Sequence, residues 1–291
     1  MIRTIGIMLA QRNSTSITDK IITVSRYLEC RIYKFLSVPR NLHMRDREQV
    51  TFQMNPGCAV SEKMYIVGPY DFDSMSFLEK YVSPGDTFYD IGANIGPFSL
   101  LLGSNGANVF AFEGHPKTTE RLKHNFCINN LPDQQAMNLA VSDSSGVVSF
   151  IDNTGSSINK IAKDGDQSIE VECTSIDDFT KNHPEPRFVK IDTEGHELKV
   201  ILGMKKMLEK NVVDFVSFEA NGLSPESDLS TIYDLLQSHS FSIGLIDYKN
   251  RKFTYLNNLG KKSPTGDYQA LSSRLVDKIR SEGFSVEPES L

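Results

Sequence analysis

The chain has 291 residues, of which 39% are hydrophobic and 23% charged, as in an ordinary soluble globular protein. Its net charge of −6 argues against general binding to nucleic acid, and the sequence has no apolar run of the roughly eighteen residues that a membrane-spanning helix needs. The four cysteines lie far apart, without the spacing of a metal site or a redox dithiol, which favours free thiols in a reducing cytoplasm.

The first 47 residues are basic, with nine Lys and Arg against three Asp and Glu. Apolar residues recur there at helical spacing from Ile17 to Phe35, which predicts an amphipathic helix. We favour a helix that packs on the domain through its apolar face and leaves its charged face in solvent. The alternative is that residues 17–36 form a surface that meets an anionic membrane or a partner protein.

From about residue 84, β-type runs alternate with helical patterns, which is typical of βαβ units and a mostly parallel sheet. Strands are predicted at 87–91, 108–114, 136–143, from 187 onward, and at 212–220. Helices are predicted at 97–103, 115–130, 175–182, 197–210, 229–240 and 271–283. A β-rich excursion at about 143–175 interrupts this alternation, and two further strands are expected at 241–247 and 253–258.

The stretch DIGANIG at the end of the first predicted strand is the first candidate for a binding site. Gly92 and Gly96 follow the strand, and glycine lets a chain turn sharply and approach a ligand beyond the carboxyl ends of a parallel sheet. Ala93 and Asn94 between them are small or able to form hydrogen bonds through a short side chain. The segment therefore predicts a ligand at the first strand–helix turn.

Two acidic residues accompany this turn. Asp90 lies at the end of the first strand, and Glu113 closes the second strand, 21 residues after Gly92. An acid at the end of the second strand can accept both ribose hydroxyls of an adenosine, whereas two carboxylates disfavour a pyrophosphate and suit a cationic ligand. The glycine spacing also departs from the dinucleotide fingerprint, which counts against the alternative of a nicotinamide-dependent oxidoreductase.

The segment KIDTEGHE brings further candidates to the same edge of the sheet. We expect Asp192 to lie nearest the reacting centre, while Glu194 is either catalytic or simply stabilised at a helix N-terminus. His196 is a candidate general base because its ordinary pKa lies near neutrality. Glu219, which ends the fifth strand, can bind the substrate. These four residues have the ligand types of a Mg²⁺ or Mn²⁺ site, but no tight ligand spacing supports a metal, and we predict none.

Seven motifs give the chain its resemblance to a known family. In order they are GDTFYDIGANIGPFSL, FEGHPKTTERLKHNFCIN, LAVSDSSG, GSS, SIDDF, KIDTEGHELKVILGM and FEAN. The chain thus resembles the FkbM-type S-adenosylmethionine-dependent methyltransferases over roughly residues 60–260. The resemblance implies the α/β, Rossmann-like class I methyltransferase fold: a seven-stranded, mostly parallel sheet whose last strand is antiparallel, with helices on both faces. It divides the chain into an N-terminal helical and β extension (1–59) and a methyltransferase domain (60–291), with a cofactor core at about 84–260.

The same resemblance implies S-adenosylmethionine as the cofactor and a hydroxyl of a sugar, polysaccharide or polyketide-type natural product as the methyl acceptor. The implied cofactor contacts are Asp90, Gly92, Ala93, Asn94, Gly96, Glu113, Ala140, Val141 and Ser142. Within this set Glu113 would hold the ribose, and the residues at 140–142 would lie beside the adenine. A binding or scaffold protein that kept the fold and lost catalysis stays an alternative. The expected partner is a small molecule or glycan, and the sequence does not indicate an oligomeric state.

Overall fold

The computed structural model describes residues 6–9, 16–55, 57–151, 168–220, 225–260 and 266–289. From residue 17 onward the helices are α1 (Ile17–Leu36), α2 (Ala59–Ile66), α3 (Phe72–Tyr81), α4 (Pro97–Ser104), α5 (Pro116–Ile128), α6 (Ile176–Phe179), α7 (Glu197–Leu202), α8 (Lys205–Glu209), α9 (Glu226–Ser238) and α10 (Ser273–Ser281). The strands are β1 (Arg40–Met44), β2 (Arg47–Met54), β3 (Thr87–Ile91), β4 (Asn108–Glu113), β5 (Ala136–Asn138), β6 (Ala140–Val141), β7 (Gly146–Ile151), β8 (Ser168–Thr174), β9 (Phe188–Ile191), β10 (Phe215–Ala220), β11 (Phe241–Asp247), β12 (Lys252–Tyr255), β13 (Gly266–Ser272) and β14 (Ser285–Pro288).

The main sheet has the order β14-β12-β11-β13-β10-β9-β3-β4-β5. The strands from β10 to β5 are all parallel, and β13 runs antiparallel between β10 and β11. The seven strands from β11 to β5 thus form the predicted class I sheet, which confirms the fold class. Two strands extend it beyond these seven: β12, which was expected at 253–258, and the edge strand β14, which was not predicted.

Helices cover both faces of this sheet because the side chains of each strand alternate between two apolar cores. Phe88 of β3 belongs to a core with apolar residues of α3, α4, α5 and α10. Its neighbour Tyr89 belongs to the opposite core, with apolar residues of α7, α8 and α9. The sheet is therefore buried on both sides, and only its strand ends are open to a ligand.

The N-terminal segment packs on the first of these cores. β1 and β2 form an antiparallel hairpin whose Met44 and Phe52 join the core. The helix predicted from the apolar spacing is present as α1, but the prediction of its buried face was wrong. It is Thr23, Tyr27 and Cys30 that are buried, while the apolar face points to solvent.

Polar anchoring explains this inverted orientation of α1. The guanidinium of Arg45 donates to the Asp19 carboxylate at 2.6 Å and to the Thr23 hydroxyl at 2.8 Å, and both contacts are buried or partly buried. Arg26 donates to the Tyr65 carbonyl oxygen at 2.7 Å. Buried groups of this kind need their partners, so they fix the polar face of the helix inward.

Several element boundaries differ from the predicted ones. β13 was not predicted, and the helix expected at 271–283 begins only at Ser273, where the Ser272 side chain caps it. Gly203 divides the helix expected at 197–210 into α7 and α8. The GSS motif at 155–157 lies outside the described residues. The domain boundary after residue 59 stays a prediction.

No helix within the described part of the chain is both long enough and apolar enough to cross a membrane.

Candidate active site

A cavity of about 440 Å³ lies at the carboxyl ends of β3, β4, β9 and β10. It brings together ten of the thirteen predicted site residues: Gly92, Ala93, Asn94, Glu113, Ala140, Val141, Asp192, Glu194, His196 and Glu219. The other three are not among its lining residues. Asp90 is fully buried, Gly96 caps α4, and Ser142 hydrogen-bonds to His196.

The turn after β3 depends on glycine at position 92. Gly92 has φ = +74°, and a Cβ there would lie 1.8 Å from the carbonyl oxygen of Asp192. The backbone N–H groups of Gly92 and Ala93 both donate to the carbonyl oxygen of Phe112, at 2.9 and 3.0 Å. A side chain at position 92 would separate the loops after β3 and β9, so only glycine permits this close approach.

Glu113 is held in place by the backbone before any ligand arrives. Its carboxylate is buried and accepts hydrogen bonds from the amides of Asn94 (3.1 Å) and His115 (2.8 Å). Asn94 adopts a left-handed conformation (φ = 52°), which asparagine tolerates better than most residues. A fixed carboxylate that lines the cavity at the end of the second parallel strand fits a ribose diol.

A buried ion-pair network lies beneath the cavity. The ammonium of Lys190 is 3.2 Å from an oxygen of Asp192 and 3.7 Å from one of Asp90. Burial raises the pKa of Asp90, although Lys190 and the hydroxyl and amide of Ser99 oppose that rise. Although burial lowers the pKa of Lys190, the charges of Asp192 and Asp90 raise it well above its ordinary value. Lys190 is therefore a fixed cation between β3 and the loop after β9.

The other end of the cavity is acidic. Carboxylate oxygens of Asp192, Glu194 and Glu219 lie within 4.8 Å of one another, close enough for the three residues to hold a metal ion, and His196 is not in that group. Burial, together with the charges of Asp192, Glu194 and Asp267, raises the pKa of Glu219 to about 7. Burial and the charge of Asp267 likewise raise the pKa of Asp71 to about 7.

The loop after β9 is shaped by a residue that sequence reasoning assigned no role. The buried Glu197 accepts hydrogen bonds from the amides of Thr193 (3.2 Å) and Gly195 (3.0 Å) and from the Thr193 hydroxyl (3.1 Å). Between them Glu194 has φ = 55°, a conformation that costs a non-glycine residue about 1 kcal/mol. Glu197 thus holds the loop in a strained shape that presents the acidic side chains.

His196 contacts the side of the cavity that the sequence assigned to adenine. Its Nε2 lies 2.9 Å from the hydroxyl of Ser142, directly after β6. Burial lowers the pKa of His196, with the nearby Asp143 opposing the shift. Burial therefore favours the neutral form of the imidazole.

Sequence reasoning missed five further residues that line the cavity: Lys63, Tyr70, Asp71, Lys190 and Asp267. The first three come from α2 and the turn before α3, for which no helices were predicted. Lys190 could have been predicted from the sequence, because a lysine inside the apolar strand VKI needs a buried partner. Asp267 could not have been predicted in this way, since it reaches the site only through the pairing of β13 with β10, where it lies opposite Glu219.

Comparison with known proteins identifies this arrangement. The family model of the methyltransferase FkbM domain matches residues 90–243. The hexuronic acid methyltransferase AglP of Haloferax volcanii is 33% identical over 187 residues, which cover 59% of this chain and 75% of that protein. The chain belongs to the FkbM methyltransferase family. The protein is therefore an S-adenosylmethionine-dependent methyltransferase, and neither the oxidoreductase nor the scaffold alternative is favoured.

Solved structures are more distant from this FkbM chain. A methyltransferase FkbM from Methylobacillus flagellatus is 13% identical with a TM-score of 0.43, over 72% of this chain and 54% of that one. An O-methyltransferase from Bacillus cereus is 11% identical with a TM-score of 0.39, over 70% of this chain and 81% of that one.

The residues present fit the cofactor of the FkbM family. The backbone turn at Gly92, the fixed carboxylate of Glu113 and the apolar wall at Ala140 and Val141 line one continuous half of the cavity. Phe150 of β7 adds an aromatic side chain to this half.

Proposed function

We propose that the protein transfers a methyl group to a hydroxyl of a sugar, with a hexuronic acid unit as the favoured acceptor. The observation that carries this proposal is that the predicted cofactor residues line one part of the cavity and carboxylates line another part of the same cavity. Carboxylates are strong acceptors for hydroxyl groups, which is the chemistry that a polyol needs. The hexuronic acid methyltransferase similar to this chain supports the choice of sugar.

The charges of the acceptor half support a particular orientation of such a sugar. Lys190 is already neutralised by Asp90 and Asp192, whereas Lys63 stacks over the ring of Tyr70, 5.3 Å from its centroid. A uronate carboxylate would be repelled by the acidic cluster and attracted by Lys63. The hydroxyl that receives the methyl group would then face the carboxylates.

The proposed roles in the reaction follow from position and protonation. S-adenosylmethionine supplies an electrophilic methyl group, and the acceptor hydroxyl must lose its proton. Glu219 is the proposed proton acceptor, because its pKa of about 7 leaves a large deprotonated fraction at neutral pH while keeping it basic. Asp192, held by Lys190, orients the acceptor. His196 faces Ser142, which supports a role at the cofactor side rather than as the base.

Methyl transfer to matched acceptors tests the proposal. The purified chain is incubated with S-adenosylmethionine that carries a labelled methyl group and with glucuronoside, glucoside and polyketide-type hydroxyl acceptors. We expect a labelled ether on the uronoside by mass spectrometry, and a weaker reaction with the glucoside. Lys63→Met should erase the preference for the uronoside and leave the reaction with the glucoside nearly unchanged. Methylation of none of the sugars would contradict the proposed acceptor.

A further inference from the structure

The outward face of α1 carries a continuous apolar stripe. We use the name α1 stripe for Ile17, Ile21, Leu28, Ile32 and Phe35, all of which are exposed. Phe35 is 87% and Ile17 75% exposed, far more than large apolar side chains normally are. A stripe of this length on one helix is an unusual surface for a protein without a partner there.

The orientation of the stripe is fixed by the inward face of the helix. On a helical wheel the stripe is centred roughly opposite Tyr27 and Cys30, which are buried against the protein. The Arg45 contacts to Asp19 and Thr23 hold that inward face. The stripe therefore points directly away from the protein and cannot turn inward without breaking a buried ion pair.

Charge is distributed unequally around the α1 stripe. The two acidic side chains of the helix are turned toward the protein, Asp19 to Arg45 and Glu29 to the hydroxyl of Tyr65. The cations Lys20, Arg31 and Lys34 are exposed, and no described residue forms an ion pair with any of the three. The surface that α1 presents is thus apolar along its middle and positively charged at its edge and end.

We propose that α1 docks the protein on an anionic lipid bilayer. The stripe would enter the boundary between headgroups and acyl chains, as amphipathic surface helices do, and the cations would meet the lipid phosphates. A second copy of the chain fits less well. Antiparallel pairing of two stripes would place Lys20 and Arg31 of both copies along the same edge, where like charges repel.

Docking through α1 also sets the distance between the bilayer and the cavity. α1 packs against α2 through the Arg26 contact to Tyr65, and Lys63 of α2 lines the cavity. The cavity would thus lie one helix away from the lipid surface. The docking itself does not depend on which acceptor the enzyme methylates.

Flotation of the full chain with lipid vesicles tests this docking. The probes are phosphatidylcholine vesicles with and without phosphatidylglycerol, at low and high salt. We expect binding to the anionic vesicles that weakens with salt. Ile21→Glu with Phe35→Ser should lower the partition coefficient at least about tenfold, since two apolar side chains leave the interface. Lys20→Glu with Arg31→Glu should lower it by 25-fold or more, from about fivefold per cation.

Matched substitutions elsewhere are the controls. Val147→Glu replaces an apolar residue of β7 that is 61% exposed, and Lys249→Glu reverses an exposed cation outside α1. Both should bind vesicles like the unmodified chain. S-adenosylmethionine affinity should be unchanged in every variant, which shows that each of them is folded.

Three outcomes would overturn the proposal. The first is that the unmodified chain fails to float with anionic vesicles. The second is that the stripe variant floats as well as the unmodified chain. The third is a dimer in solution that Ile21→Glu converts to a monomer while vesicle binding is absent, which would assign the stripe to a second copy.

Discussion

The titration of Glu219 gives the sharpest test of the proposed chemistry. Burial and the charges of Asp192, Glu194 and Asp267 raise its pKa to about 7. A base with that pKa is about one-tenth deprotonated at pH 6 and about nine-tenths deprotonated at pH 8. If Glu219 takes up the proton of the acceptor hydroxyl, kcat/KM should therefore rise about tenfold between these two pH values.

Two substitutions perturb this titration in different ways. Glu219→Gln keeps the size of the side chain and removes the base, so it should lower kcat by roughly 10²–10⁴. The acid limb of the pH profile, which is the fall in activity below about pH 7, should then disappear. Asp192→Asn removes the charge that raises the pKa of Glu219 most, so the fall in activity at acidic pH should move toward lower pH in whatever activity remains. Glu185→Gln changes an exposed glutamate that pairs with Lys210 and serves as the matched control.

The assay is transfer of a labelled methyl group at constant ionic strength, with kcat and kcat/KM measured at each pH. S-adenosylmethionine affinity is measured in parallel, so that a loss of cofactor binding is not taken for a loss of chemistry. An acid limb that persists at the same pH in Glu219→Gln would refute the assignment of the base. So would a limb that moves toward higher pH in Asp192→Asn.

Other predictions concern the cofactor end, the fold and a metal. Glu113→Ala should weaken S-adenosylmethionine binding by about 1.5–3 kcal/mol in calorimetric titration, as expected for a lost hydrogen bond to a charged group, and an unchanged Kd would contradict the ribose contact. Asp214→Asn should lower the free energy of unfolding by about 2–3 kcal/mol in urea titration, because the buried carboxylate accepts from Ser272, Arg187 and Arg274. Although burial raises the pKa of Asp214, those hydrogen bonds lower it overall. The contribution of Asp214 to the free energy of unfolding is therefore present above pH 4 and is lost as the pH falls further. An Asn variant that unfolds in acid like the unmodified chain would exclude this contribution. Chelation by EDTA should leave methyl transfer unchanged, and loss of activity that Mg²⁺ restores would reassign the acidic cluster to a metal site.

The cofactor half could be predicted because its parts are close in sequence. A glycine turn, the strand before it and the acid after the next strand all lie within one βαβ unit, where the topology is nearly fixed by handedness. Gly92 and Glu113 accordingly line the cavity as expected. The acceptor half is assembled over long range. Asp267 lies opposite Glu219 only because β13 inserts antiparallel between β10 and β11, which no local pattern encodes.

The orientation of α1 shows a second limit of sequence reasoning. Periodicity of 3.6 residues establishes that a helix has an apolar face, but not that the protein buries it. Here Asp19 and Thr23 meet Arg45, a residue of the β1–β2 turn, so the polar face is the buried one. The sequence signal for such an inversion is weak: a Thr, a Tyr and a Cys at helical spacing opposite the stripe.

Asp192 contacts both the glycine turn after β3 and the ion pair of Lys190, and these contacts lead to a final prediction. Its carbonyl oxygen occupies the space that a Cβ of Gly92 would need, its amide donates to Ile91 at 2.9 Å, and its carboxylate binds Lys190. Gly92→Ala must therefore displace the loop that carries the acidic cluster, besides straining its own backbone, at a cost of roughly 2–4 kcal/mol in stability. We expect both a weaker Kd for S-adenosylmethionine and a lower kcat at saturating cofactor.

Glu113→Ala is the matched comparison for Gly92→Ala, because Glu113 lies at the same end of the cavity and its carboxylate accepts from the amides of Asn94 and His115, which belong to the loops after β3 and β4. It should weaken cofactor binding and leave kcat at saturation largely intact. The difference isolates the mechanical coupling through Asp192 from the loss of cofactor contacts. Were Gly92→Ala to keep its full kcat once the cofactor is saturating, the loops after β3 and β9 would be independent, and the acceptor end would not rely on the glycine turn for its shape.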